Sequence, residues 1–117
     1  AAFDLVRATH SRGPVLVIGE MRELGSHSAR EHAAAGRNAA SLHPSLLVGV
    51  GAGAWPLVAA ARRSGVREAI WVREGLDALD TVSPAITRNT LVLFKASRSV
   101  HLERLAWALG AGRQNAI

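Results

Sequence analysis

The chain contains no cysteine. That excludes a disulfide framework and a thiol nucleophile, and it agrees with a cytoplasmic setting. Lysine occurs once, as Lys95, although Lys and Arg together number 14. Aromatic residues make up only 4%, and they do not interleave with the cations as they do in single-strand nucleic-acid binders. No apolar run approaches the roughly 18 residues of a membrane span, and the first residues do not resemble a signal peptide. No stretch fits G-x-x-x-x-G-K-S/T, so no nucleotide-hydrolysing phosphate loop is expected. His27 and His32 lie five apart with Glu31 beside the second; that spacing is not H-E-x-x-H, and no metal site is expected. Repeats, low-complexity tracts and linkers are absent as well.

What remains is one domain of 117 residues, 49% apolar and 20% charged, long enough for a single core. The net charge is +5 and the isoelectric point about 11.5. The arginines run from Arg7 to Arg113 without forming a block. Neither nucleic acid nor a membrane is therefore expected as a partner.

The apolar pattern alternates between two kinds of segment. Val15–Ile18, Leu46–Val50, Ala69–Val72 and Leu91–Phe94 are short, continuous and rich in β-branched residues, the mark of strands buried on both faces. Between them run helix-like stretches. Residues 1–9 fit the tail of a helix, and Ser28 with Glu31 forms a capping box opening a helix to about Leu42. Pro56 suits the first turn of a second helix, which reaches about Arg63. A short helix is predicted over 75–82, broken at Ser83-Pro84, and a last one over 100–109. This order predicts an α/β fold: a mostly parallel sheet, covered by helices on both faces in three layers. Ligands bind such sheets at the carboxyl ends of their strands.

Two polar loops fall at those ends. Residues 95–99, KASRS, follow the last strand and place Lys95, Ser97 and Arg98 at a helix start. Cationic and hydroxyl donors beside free backbone amides suit a carboxylate or a phosphate. Residues 19–27 carry Glu20 and Glu23, so the two loops together could receive both ends of a zwitterion such as a dipeptide. A third candidate is Gly49-Val50-Gly51-Ala52-Gly53-Ala54, which satisfies G-x-G-x-x-A between a strand and a helix, with Glu74 at a suitable distance. It predicts, as the alternative, a dinucleotide (NAD or FAD) module, although such a loop normally follows the first strand rather than the second. A non-enzymatic interaction domain is the third possibility.

The stretch GEMRELG (residues 19–25), with Ser28, His32 and Gly36, resembles the opening of the C-terminal domain of a Mur ligase. The branch most similar adds D-alanyl-D-alanine and reads G-D-M-x-E-L-G-x-x-S-x-x-x-H here. Lys95-Ala96-Ser97-Arg98 with Leu102-Glu103 resembles that branch's K-G-S-R and the Met-Glu helix start after it. Glu20 stands where the family usually has Asp, and Ala96 where it has Gly. The resemblance implies a Rossmann-like fold and the last, substrate-closing domain of a longer enzyme, with the N-terminal and the central ATP-binding domains lying outside residues 1–117. It implies ligation of D-alanyl-D-alanine to UDP-N-acetylmuramoyl-tripeptide in peptidoglycan synthesis, through an acyl phosphate attacked by an amine. ATP and Mg2+ would be held mainly by the central domain, and the isolated domain would be inactive. Lys95, Ser97 and Arg98 are then expected to recognise the dipeptide carboxylate. Glu20 and Glu23 would orient its amine or meet the central domain. His27 and His32 are expected to be structural, and no catalytic nucleophile is expected.

Overall fold

The computed structural model describes residues 13–21, 25–86, 90–95 and 102–111, with side chains of the last helix described over 105–109. Four strands form one all-parallel sheet: β1 (Val15–Gly19), β2 (Leu46–Val50), β3 (Ala69–Val72) and β4 (Val92–Lys95), in the order β3-β2-β1-β4. The helices are α1 (Ser28–Ala40), α2 (Trp55–Arg63), α3 (Leu79–Ala85) and α4 (Leu102–Ala111), and one turn of 3-10 helix leads into each of the first three. The predicted helix over residues 1–9 lies outside the described residues.

Side-chain alternation along the strands builds two cores. Leu16, Ile18, Leu47 and Ala69 face one way and pack with Ala39 and Ala40 of α1 and Leu57, Val58 and Ala61 of α2. Val15, Val17, Val48 and Val50 face the other way, toward Val82 of α3 and Leu105 and Leu109 of α4. β1 and β2 are buried along their whole length. This is why they read as unbroken apolar runs, as parallel strands covered on both faces must. The three-layer expectation is met, and the sheet is parallel throughout.

Local details depart from the sequence reading in two places. Ser28 is the first residue of α1, not its cap: the 3-10 turn Gly25–His27 feeds directly into the helix, and His27 occupies the cap without a side-chain bond. The capping box therefore does not form, and Ser28 turns its hydroxyl to His32 instead. The segment predicted as a helix over 75–82 is a 3-10 turn (Gly75–Ala78) followed by α3, which runs through Pro84 to Ala85. Pro84 lacks the amide that would bond the Asp80 carbonyl, so the last turn loses that bond, and the helix stops one residue later.

Candidate substrate site at the carboxyl ends of β1 and β4

In the order β3-β2-β1-β4, the chain leaves β1 toward β2 but reaches β4 from β3 by crossing the sheet. The gap between β1 and β4 is the topological switch point, the place where connections diverge and leave a crevice at the strand ends. Both polar loops singled out in the sequence begin there. Ile18 pairs in register with Lys95, so Lys95 and the residues just after Ile18 sit side by side at one end of the sheet. Lys95 is exposed and shares the pleat parity of Leu93 and Ile18. Glu23, Ser97 and Arg98 lie outside the described residues.

Glu20 extends the β1 ladder by one step, its amide donating to the Val50 carbonyl at 2.7 Å. Its carboxylate then reaches across to the loop after β2, where Oε2 accepts the Gly53 amide at 2.6 Å. The glycines of that loop make room for it. A Cβ on Gly51 would stand 2.7 Å from Glu20 Cδ, and one on Gly53 would stand 2.8 Å from Oε2. Gly51 also has φ +108° and ψ +157°, a region open essentially to glycine alone. Its carbonyl is fixed by the Trp71 indole N–H at 2.6 Å.

This arrangement overturns the dinucleotide reading. The backbone cradle that would receive a pyrophosphate already holds a carboxylate of the chain itself, and a second anion there would meet like charge. Glu74, the residue expected to bind a ribose, precedes the 3-10 turn Gly75–Ala78 and has its amide bonded to Asp77 Oδ2 at 3.1 Å. Glycines at 51 and 53 were legible as a close-approach signal. What approaches them was not. We expect Gly51→Ala to cost about 1–3 kcal/mol through backbone strain, before the collision with Glu20 is added. Urea denaturation of the variant checks it, and an unmoved midpoint would refute the assignment.

Behind Glu20 stands His32, 0% exposed and the one buried polar or charged residue in the described core. Met21 N–H donates to its Nε2 at 2.8 Å, and its Nδ1 lies 2.7 Å from the Ser28 carbonyl. A carbonyl only accepts, so Nδ1 carries the hydrogen and Nε2 presents its lone pair to Met21. His27 is exposed and accepts from Arg30 Nη2 at 2.5 Å. The expectation that both histidines serve the loop and helix agrees with these contacts. Among the described residues no group of three or more His, Asp or Glu gathers to hold a metal ion. No described helix is long and apolar enough to cross a membrane.

An open groove of about 330 Å³ lies at the opposite end of the sheet, lined by Ala40, His43, Pro44, Arg67 and Glu68 among others. Its place at the amino ends of β2 and β3 sets it apart from both polar loops, so concavity alone does not select the site here.

No protein-family model matches the chain. In an alignment that covers 77% of the chain, it is 40% identical to the UDP-N-acetylmuramoyl-tripeptide–D-alanyl-D-alanine ligase of Mycobacterium leprae (strain TN). The chain belongs to the Mur ligase family. A crystal structure of MurF from Acinetobacter baumannii matches 92% of it with a TM-score of 0.76 at 28% identity. The MurF ligase from Thermotoga maritima, solved in complex with ADP, matches 100% of it with a TM-score of 0.71. At 18% identity that second likeness speaks to the fold alone. The chain spans 18% of the length of the M. leprae enzyme, 24% of the A. baumannii chain and 27% of the T. maritima chain. Several of the described residues that signalled a Mur ligase in the sequence lie close together. Glu20 and Met21 leave β1, His32 buttresses them from α1, and Lys95 ends the neighbouring strand.

Proposed function

We propose that this chain is the C-terminal, substrate-closing domain of a cytoplasmic, ATP-dependent ligase that joins D-alanyl-D-alanine to UDP-N-acetylmuramoyl-tripeptide. The product feeds peptidoglycan synthesis, and through it the cell wall, cell shape and cell division. The observation that carries the reading is the placement of Glu20 and Lys95 at the ends of the adjacent strands β1 and β4, beside the switch point, in a chain 40% identical to such a ligase.

In this reading Lys95, Ser97 and Arg98 bind the carboxylate of the dipeptide through charge-assisted and hydroxyl hydrogen bonds. Glu20 and Glu23 face its amine end. The contribution to rate is positional: the amine is held near its target, and water is kept from the reacting carbonyl when the domain closes.

ATP and Mg2+ are held mainly by the central domain, over which this domain closes. The sequence has no phosphate loop, and the glycine cradle after β2 is filled by Glu20, so that cradle does not receive a nucleotide phosphate. The other two domains of the same polypeptide are then the partners of this one.

The test is ligation by a full-length ligase carrying this chain as its last domain, followed as ADP release that depends on D-alanyl-D-alanine. The full-length protein is expected to turn over and the purified 117 residues to show none. Ligation by the chain alone, or a full-length protein that ignores D-alanyl-D-alanine, would sink the proposal.

A further inference from the structure

We infer that His32 is a positioning residue: through the Met21 amide it aims Glu20 at the incoming amine of the dipeptide. The inference rests on the ligase reading above and assigns to it a residue that touches no substrate.

Burying an imidazole is costly unless both ring nitrogens are paired. Here both are, at 2.7 Å and 2.8 Å. The ring spans from the first turn of α1 to the amide immediately after Glu20. Glu20 is thereby held on three sides: its own amide on Val50 O, the next amide on His32, and its carboxylate on Gly53 N. His32 Cε1 also lies 3.8 Å from where a Cβ on Gly53 would stand, so the ring backs the carboxylate's seat as well. An apolar side chain could fill the same volume, but it would leave the Met21 amide without its acceptor. The polar contact made on that side sets one thing, the direction in which the chain leaves β1. Together with the Val50 and Gly53 contacts, that direction sets where Glu20 points.

The two nitrogens can be separated by substitution. Asparagine places an amide nitrogen near the position of Nδ1, and glutamine places an amide oxygen near that of Nε2. His32→Asn should keep the Ser28 bond and release Met21, while His32→Gln should keep Met21 and release Ser28. If His32 works through Met21, His32→Asn raises KM for D-alanyl-D-alanine in the full-length ligase about 10-fold or more, with KM for ATP unchanged. His32→Gln stays near wild type despite an altered buried ring. In the isolated chain, 15N spectra should show a protonated Nδ1 and a bare Nε2 on His32. The Met21 amide should exchange faster in His32→Asn than in His32→Gln.

Equal losses in the two variants that follow their loss of thermal stability would make His32 merely structural and overturn the inference. An unchanged KM in His32→Asn, in an enzyme that ligates normally, or an Nε2–H tautomer, would overturn it too. All three leave the ligase reading standing. A wild-type full-length protein without D-alanyl-D-alanine-dependent turnover would instead remove that reading, and this inference with it.

Discussion

Replacing Gly36 by alanine should cost the domain on the order of 3 kcal/mol, the upper range for overpacking a tight core. Gly36 is buried in α1 where that helix crosses α2. A Cβ there would run into the Leu57 carbonyl oxygen, with Leu57 C at 3.0 Å and Ala61 N at 3.1 Å. Those atoms are backbone in the middle of α2 and cannot swing aside as a side-chain tip would. The two helices would have to separate, opening the core that Leu16, Ile18 and Leu47 share with both of them. Alanine is the better helix former by about 1 kcal/mol, so the local preference pulls the other way and the clash must exceed it. In a domain stable by roughly 5–15 kcal/mol the net loss would be a substantial part of the total. Thermal denaturation should show a Tm lower by on the order of 10 °C. Arg37→Ala, next in sequence but exposed, should move it little. Equal Tm values for the two variants would mean that α1 and α2 do not approach this closely.

The second large effect concerns substrate recognition. In a full-length ligase, Lys95→Ala and Arg98→Ala should each raise KM for D-alanyl-D-alanine by about 10- to 100-fold. That is the range implied by roughly 1.5–3 kcal/mol for a hydrogen bond to a charged group. ATP affinity should hold, because the phosphates are assigned to another domain. The physical ground is the register that sets Lys95 opposite Ile18 at the end of β1, together with its charge at a switch-point crevice. The double variant need not show the product of the single effects, since two cations on one carboxylate share its field. Initial-rate kinetics with varied dipeptide decide the matter. If neither substitution changes KM, the KASRS loop does not recognise the dipeptide, and an interaction domain becomes the better account of the chain.

These two predictions draw on different amounts of sequence information. Lys95 could be picked out beforehand, because a lone lysine ending an apolar strand breaks the local pattern visibly. Gly36 could be seen only as one more residue in an alanine-rich helix. Its role depends on α2, about twenty residues further along the chain. The same contrast separates Glu20 from His32. An acidic residue at a strand end was legible as a candidate, while a histidine inside a helix gave no sign that its ring would accept the amide of residue 21.

The sequence by itself determined the class of the fold, the four strands and most helix limits. Those follow from periodicity and from Gly and Pro placement, which act over a few neighbouring residues. It also determined the two loops that carry charge, and through them the family. The tertiary structure decided which anion the glycine loop holds. The motif at 49–54 is compatible with a pyrophosphate or a carboxylate, and it holds Glu20, a residue 33 positions earlier in the chain. The structure decided as well that Ser28 is not a cap, because the preceding 3-10 turn displaced it by one position. It set the switch point between β1 and β4, since strand order depends on how the crossovers pack rather than on any single segment. Local composition selects the elements of this domain. Contacts between residues far apart in sequence select what its strand ends can hold.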